Sequence, residues 1–215
     1  MALVVWDYHG VLEQGNENGV LALSNLALEE EGLPQRFTDD DIIRLYGKRW
    51  LQYFEILLPQ ADTDMHKRLE QRALRIDKER PEVRERYIRP TPNSHYVLEQ
   101  IAQRNDQLLL SNCHDIVAFL RATRMEDYFP EGKRFATAAT TPVRSKQELF
   151  DSYLHGARPA PIILVGDSPG DLDINPHDIT FLYAHPGRDF RQCEADHKIR
   201  DLRGVLDYLR TKELL

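Results

Sequence analysis

The 215-residue chain is short of cysteine, of long apolar runs and of positive charge, and each shortage excludes something. Cys113 and Cys193 are the only thiols. They lie far apart without metal-ligand spacing, which suggests reduced thiols in a cytosolic protein rather than a disulfide framework. Cys113 reads as a packed thiol. No apolar run reaches membrane-spanning length and the N-terminus has no basic leader, so a cytoplasmic protein without a membrane partner is expected. Lys and Arg number 28 against 35 Asp and Glu, a formal charge of −7, which argues against nucleic acid or an anionic membrane as the main partner. Internal repeats and low-complexity segments are also missing. The length suffices for one sizeable core and a smaller module.

The most informative stretch that is present is Gly166-Asp167-Ser168-Pro169-Gly170-Asp171. It follows Pro161-Ile162-Ile163-Leu164-Val165, a short β-branched run of the kind a fully buried parallel strand requires. Ligands in open α/β sheets bind at the carboxyl ends of strands. Two acids on a Gly- and Pro-bent turn there suit a hard cation with oxygen ligands, Mg²⁺ above all. The competing reading is a solvated turn, since Gly, Asp, Ser and Pro are ordinary turn residues. A second strand-like run, Ala2–Trp6, ends directly in Asp7, and Tyr8-His9-Gly10 turns the chain after it. Acids at the ends of two strands begin to resemble a divalent-metal site with a reactive carboxylate, because Asp can attack phosphorus covalently.

Two smaller signals lie between them. Gln107–Leu110 is another buried-strand run and ends in Ser111-Asn112. Ser145-Lys146-Gln147-Glu148 has capping-box form, with Ser145 as N-cap and Lys146 in the first helical turn. A lysine is electrostatically misplaced at a helix N-terminus. It makes sense there facing an anionic ligand; the plainer alternative is an exposed first-turn side chain.

Strand-like runs sit at residues 2–6, 108–110, 134–138, 162–165, 179–183 and 197–199, with helical periodicity after the second, as βαβ units require. The fold class expected is α/β: a Rossmann-like parallel-sheet core of residues 1–15 and 88–215. An all-helical insert fills residues 16–87. Within it, residues 20–31 close at Gly32 and Pro34, Thr38-Asp39-Asp40-Asp41 opens a second helix, and helices over 48–58 and 63–80 follow. Gly47-Lys48-Arg49-Trp50 and Tyr53 offer cations and aromatics that suit a substrate's second anionic group. Ordinary packing of the aromatics, with Lys48 and Arg49 in solvent, is the other reading. His114, His177 and His185 show no ligand spacing.

Taken in order, Val4–Leu12 around Asp7, Leu109–Asn112, Lys146 and Val165–Asp171 resemble the haloacid dehalogenase-like hydrolase superfamily, in its phosphoglycolate-phosphatase-like branch with a helical cap. Most members are Mg²⁺-dependent phosphatases. The resemblance runs the length of the chain, with Ala195–Ile199 similar to the family's last strand. It implies that Asp7 is the nucleophile and a Mg²⁺ ligand. The His9 main-chain carbonyl and Asp167 would be further ligands, and Asp171 would bind directly or through water. Ser111 and Asn112 would bind the phosphoryl group, and Lys146 would neutralise charge on it and on the nucleophile. Residues 16–87 take the place of the cap, and the partner implied is a small phosphorylated metabolite.

One position departs from the pattern. Phosphatases of this family usually carry Asp two residues after the nucleophile as general acid and base, and this chain has His9. Histidine suits acid–base work near neutrality, so the substitution either keeps the chemistry with a changed pH profile or slows it badly. Beside a phosphatase, two further readings therefore stand: a phosphate-binding or regulatory protein that has lost turnover, and a phosphotransferase or sugar-phosphate mutase.

Overall fold

A computed structural model describes residues 1–45, 48–157 and 161–215. Gly47, named above, lies outside the described residues. The chain divides into two compact units, Met1–Gln14 with Arg89–Leu215, and Gly15–Ile88. It opens with β1 (Leu3–Trp6) and β2 (Glu13–Gln14), then passes through α1 (Asn16–Glu30), α2 (Asp41–Leu45), α3 (Trp50–Leu57), α4 (Thr63–Glu79) and α5 (Glu82–Glu85). It returns through β3 (Arg89–Pro90), α6 (Ser94–Ala102), β4 (Asp106–Ser111) and α7 (Ile116–Thr123) to β5 (Arg134–Ala136) and α8 (Lys146–Leu154). The remainder is β6 (Ile162–Gly166), α9 (Pro169–Leu172), β7 (Ile179–Tyr183), β8 (His197–Ile199) and α10 (Arg203–Thr211).

Six strands form one sheet in the order β5-β4-β1-β6-β7-β8, every pair parallel. This is the Rossmann-like α/β core expected from the runs of apolar residues. The central strands are apolar throughout because helices cover both faces. Leu3, Val5, Leu108, Leu110, Ile162 and Leu164 share one face with Leu149, Phe150 and Leu154 of α8. Strand alternation turns Trp6 and Gln107 to the other face, where Trp6 Nε1–H donates to Gln107 Oε1 at 3.0 Å and Gln107 donates to the Leu98 carbonyl of α6 at 2.9 Å. In register, Trp6 lies between Leu109 and Val165. The carboxyl ends of β1, β4 and β6 are therefore side by side, at the point where the strand order reverses.

The strand expected over 134–138 stops at Ala136. A 3₁₀ turn over Thr137–Ala139 replaces its end, and the Thr137 hydroxyl donates to Asn112 Oδ1 at 3.0 Å. The antiparallel pair β2–β3, two residues each, has no periodicity to announce it.

The Gly15–Ile88 unit has its own core, with Leu23, Leu28, Phe54, Leu69 and Ile76 among its buried residues. The first helix starts at Asn16 rather than Val20 and ends as expected at Gly32, which takes φ 69° and donates to the Glu29 carbonyl. The third begins at Trp50 rather than Lys48, with Gln52 accepting from the Arg49 N–H at 2.9 Å. Asp62 caps α4 by accepting from the Met65 N–H at 2.7 Å. Trp50 donates to Ser24 Oγ at 2.7 Å and packs on the unit's core, as does buried Tyr53, so both aromatics follow the packing reading.

Gly15 closes this unit at its two chain ends. Its φ is 97°, and an added Cβ would overlap the Tyr87 carbonyl oxygen. Both constraints require glycine. Gly15→Ala should therefore lower unfolding stability by about 1–3 kcal/mol, the cost of a strained backbone position. Urea denaturation checks this, and an unchanged midpoint would show that the neck relaxes freely.

Candidate active site

The site grows from the three adjacent strand ends. Asp7 follows β1, and its N–H is held by the Val165 carbonyl at 2.9 Å. Ser111 is the last residue of β4, and Asp167 follows Gly166 at the end of β6. Asp171 comes back toward the same point because Gly166 has no side chain: a Cβ there would collide with the Asp171 Cβ. One oxygen from each of Asp7, Asp167 and Asp171 falls within a common 4.8 Å, and all three residues are buried.

Lys146 reaches this cluster from the first turn of α8. Ser145 caps that helix as its sequence implies: the Glu148 N–H donates to Ser145 Oγ at 3.2 Å, and Glu148 accepts from the Ser145 N–H at 2.7 Å. The exposed reading of Lys146 fails, because only 5% of its side chain is accessible. Its Nζ donates to Asp7 Oδ1 and Asp171 Oδ1, each at 2.6 Å. Asp171 Oδ2 accepts from the Ser168 N–H at 3.0 Å and hydroxyl at 2.5 Å, so Asp171 also ties the turn together.

Charge is unevenly shared. Burial and the neighbouring Asp171 charge push the Asp7 carboxyl up to about 7, despite Lys146. Asp171 goes the other way: burial opposes its ionisation, but Lys146 and the Ser168 hydrogen bonds outweigh burial and hold it below the usual carboxylate range. The Lys146 ammonium, although buried, is held above its ordinary value by Asp7 and Asp171. The acid pair therefore takes up its proton more readily than two separate, solvated carboxylates would.

Sequence reasoning missed Arg191. Its guanidinium lies 3.1 Å from Asp167 Oδ2, on the segment between β7 and β8, where no motif marks it. Ser111 Oγ is fully buried and has no hydrogen-bond partner among the described residues. Such an orphan is rare enough to ask for a ligand. Asn112 is exposed, and its amide oxygen accepts from Thr137.

His9 sits in the turn after Asp7, its ring edge-on to Phe119 at 4.4 Å between centroids. Its Nδ1 is 2.9 Å from Glu13 Oε1. Burial opposes the imidazolium, but Cys113 and Glu13 overcome that and push the ring up to about 10. Glu13 was not foreseen, although the i,i+4 His–Glu spacing is visible in the chain. Lys48 and Arg49 are exposed residues of the other unit, just before α3. Among the described residues, no helix is long and apolar enough to cross a membrane.

No family model matches the chain, and no curated protein matches its sequence. Solved structures do match. A haloacid dehalogenase-like family hydrolase from Streptococcus pneumoniae is 14% identical over 96% of this chain and 97% of its own, with a TM-score of 0.72. A protein described as a predicted phosphoglycolate phosphatase, from Haemophilus somnus, is 18% identical over 96% of each chain, with a TM-score of 0.74. A haloacid dehalogenase family hydrolase from Deinococcus radiodurans, solved with bound phosphate and sodium, is 16% identical over 99% of this chain and 96% of its own, with a TM-score of 0.68. The chain has the haloacid dehalogenase-like fold, as the order of its motifs implied.

Removing the lysine should expose the electrostatic balance. In Lys146→Met, Asp7 and Asp171 lose their shared cation, so the metal-free protein should lose about 3–5 kcal/mol at pH 7.5, as for a broken buried ion pair. Raised carboxyl pKa values penalise the folded state as pH climbs from the ordinary value toward the folded one. The deficit relative to wild type should therefore shrink at pH 5, where these acids regain protons. Denaturation at both pH values measures it, and an equal deficit would mean that lost packing rather than charge is responsible.

Proposed function

We propose that the protein is a Mg²⁺-dependent phosphatase that hydrolyses a small, soluble phosphate monoester through an aspartyl-phosphate on Asp7. One observation carries this reading: a buried carboxylate at the end of the central strand, Asp7, lies 2.6 Å from a buried lysine that also touches Asp171. The orphaned Ser111 hydroxyl beside it adds a donor that a phosphoryl oxygen would satisfy.

The donor set fits the ion. Three buried carboxylates converge there, and an incoming phosphate dianion adds further negative charge for a cation to offset. Oxygen-only donors suit Mg²⁺. Asp7, Asp167 and the His9 carbonyl would hold it, with Asp171 bound directly or through water. Bound there, Mg²⁺ supplies charge neutralisation at the phosphoryl oxygens.

The chain's own residues would then act in two half-reactions. An Asp7 oxygen attacks phosphorus while the ester bond breaks and His9 gives its proton to the leaving oxygen. Water next attacks phosphorus and passes a proton to His9, phosphate leaves and the Asp7 carboxylate is restored. Lys146, Ser111 and Asn112 hold the phosphoryl oxygens, so most of the work is positioning and electrostatic stabilisation. The elevated proton affinity of His9 favours the first half-reaction and hinders the second. The helical unit Gly15–Ile88 would serve as cap, with Lys48 and Arg49 contacting the non-reacting end of a phosphorylated metabolite. Mutase and binding-module readings gain no support from the cluster. The protein would work in the cytoplasm.

The test is a panel of phosphate monoesters assayed with Mg²⁺ and with chelator. Wild type should turn over at least one ester only with Mg²⁺, and Asp7→Asn should lose that activity while keeping its circular dichroism. An inactive wild type would leave a phosphate-binding module as the better reading. Activity near wild type in Asp7→Asn would show that the phosphoryl group never visits that residue.

A further inference from the structure

Glu13 is a fully buried carboxylate that no motif accounts for. A buried carboxylate is costly unless paired. Its Oε1 faces His9 Nδ1 at 2.9 Å, and its Oε2 has no hydrogen-bond partner among the described residues. His185 also lies near Glu13, but the side-chain hydrogen bond of the Glu13 carboxylate goes to His9. The geometry is fixed by the backbone: the Leu12 and Glu13 N–H groups both donate to the Tyr8 carbonyl, at 2.9 and 3.2 Å, Gly10 takes φ 82°, and His9 and Glu13 form a bridge.

The ring is also held from the side. Phe119 and Tyr8 meet it edge-on, at 4.4 and 5.2 Å between centroids. Tyr8 is itself anchored through its hydroxyl, which donates to the Phe119 carbonyl at 2.7 Å and lies 2.8 Å from Thr123 Oγ1. The His9 side chain nevertheless keeps 24% of its surface accessible. A carboxylate accepts only, so Nδ1 must carry the hydrogen it receives. Nε2 then remains for an outside partner. The Cys113 thiol also influences this ring, but a thiol is only a weak hydrogen-bonding partner.

We propose that Glu13 is a positioning residue: it holds the His9 ring by Nδ1 and so fixes the direction in which the opposite edge, with Nε2, faces. The proposal rests on the phosphatase reading, and it assigns to this chain a carboxylate–imidazole pair where the usual phosphatase has a single acid. Glu13 does not touch the reacting atoms. It orders the group that does, as an orienting carboxylate orders a catalytic histidine.

Two measurements test it. In long-range ¹H–¹⁵N spectra, with His9 assigned by its disappearance in His9→Asp, wild type should show Nδ1 protonated and hydrogen-bonded. Glu13→Gln should shift or exchange-broaden that signal while the remaining histidines hold their positions. Kinetically, Glu13→Gln should lower kcat by about 10²-fold, the scale of a misplaced catalytic group, with KM nearly unchanged. In a His9→Asp background, the same substitution should change kcat by no more than about twofold, because no imidazole is left to orient. An equal loss of kcat in both backgrounds, or an unchanged His9 spectrum in Glu13→Gln, would overturn the proposal. If neither background hydrolyses any ester, the phosphatase reading fails together with the catalytic role assigned to Glu13. The spectra then show separately whether the carboxylate orders the ring.

Discussion

Lys146 brings a buried ammonium to two buried carboxylates at 2.6 Å each, and the rest of the site is arranged around that contact. Without it, Asp7 and Asp171 would be like charges in a poorly solvated place, where neither ionises readily. With it, Asp171 is held ionised while Asp7 keeps an elevated proton affinity. The lysine sits where a helix N-terminus disfavours positive charge, and the acids facing it compensate.

The sheet supplies the precision. Asp7, Ser111 and Asp167 are each attached to the end of a strand whose residues are almost wholly buried, so the side chains inherit positions fixed by the core. Gly166 is what allows Asp171 to close the cluster, since any side chain at that position meets Asp171. Arg191 contributes a charge from a less constrained segment, with 29% of its side chain accessible. His9 and Glu13 form a second electrostatic pair in the turn after Asp7.

Much of the sheet was legible because parallel strands covered on both faces leave continuous apolar runs, as in Leu3–Trp6 and Ile162–Val165. Helix starts were legible where cap chemistry is local, as at Ser145 and Asp62. What escaped were features without a local period. The β2–β3 pair is too short to alternate, and the end of the fifth strand yields to a turn tied to Asn112. In the site, three acids could be read from strand-end positions. The burial of Lys146 could not, because its partner Asp7 lies 139 positions away and only the fold joins them. Arg191 escaped for the same reason, since its partner Asp167 lies 24 positions away with no motif joining them; Glu13 escaped because an i,i+4 His–Glu spacing alone does not mark a buried carboxylate.

The most direct test of the account asks where the phosphoryl group goes. Wild-type protein would be mixed with a hydrolysed ester and Mg²⁺, quenched in acid during turnover and reduced with borohydride, which converts an aspartyl-phosphate to homoserine. Peptide mass spectrometry should then find homoserine at residue 7 and at none of Asp167, Asp171 or Glu13. Turnover that leaves residue 7 unlabelled while another carboxylate is converted would contradict the assignment of Asp7 as the nucleophile.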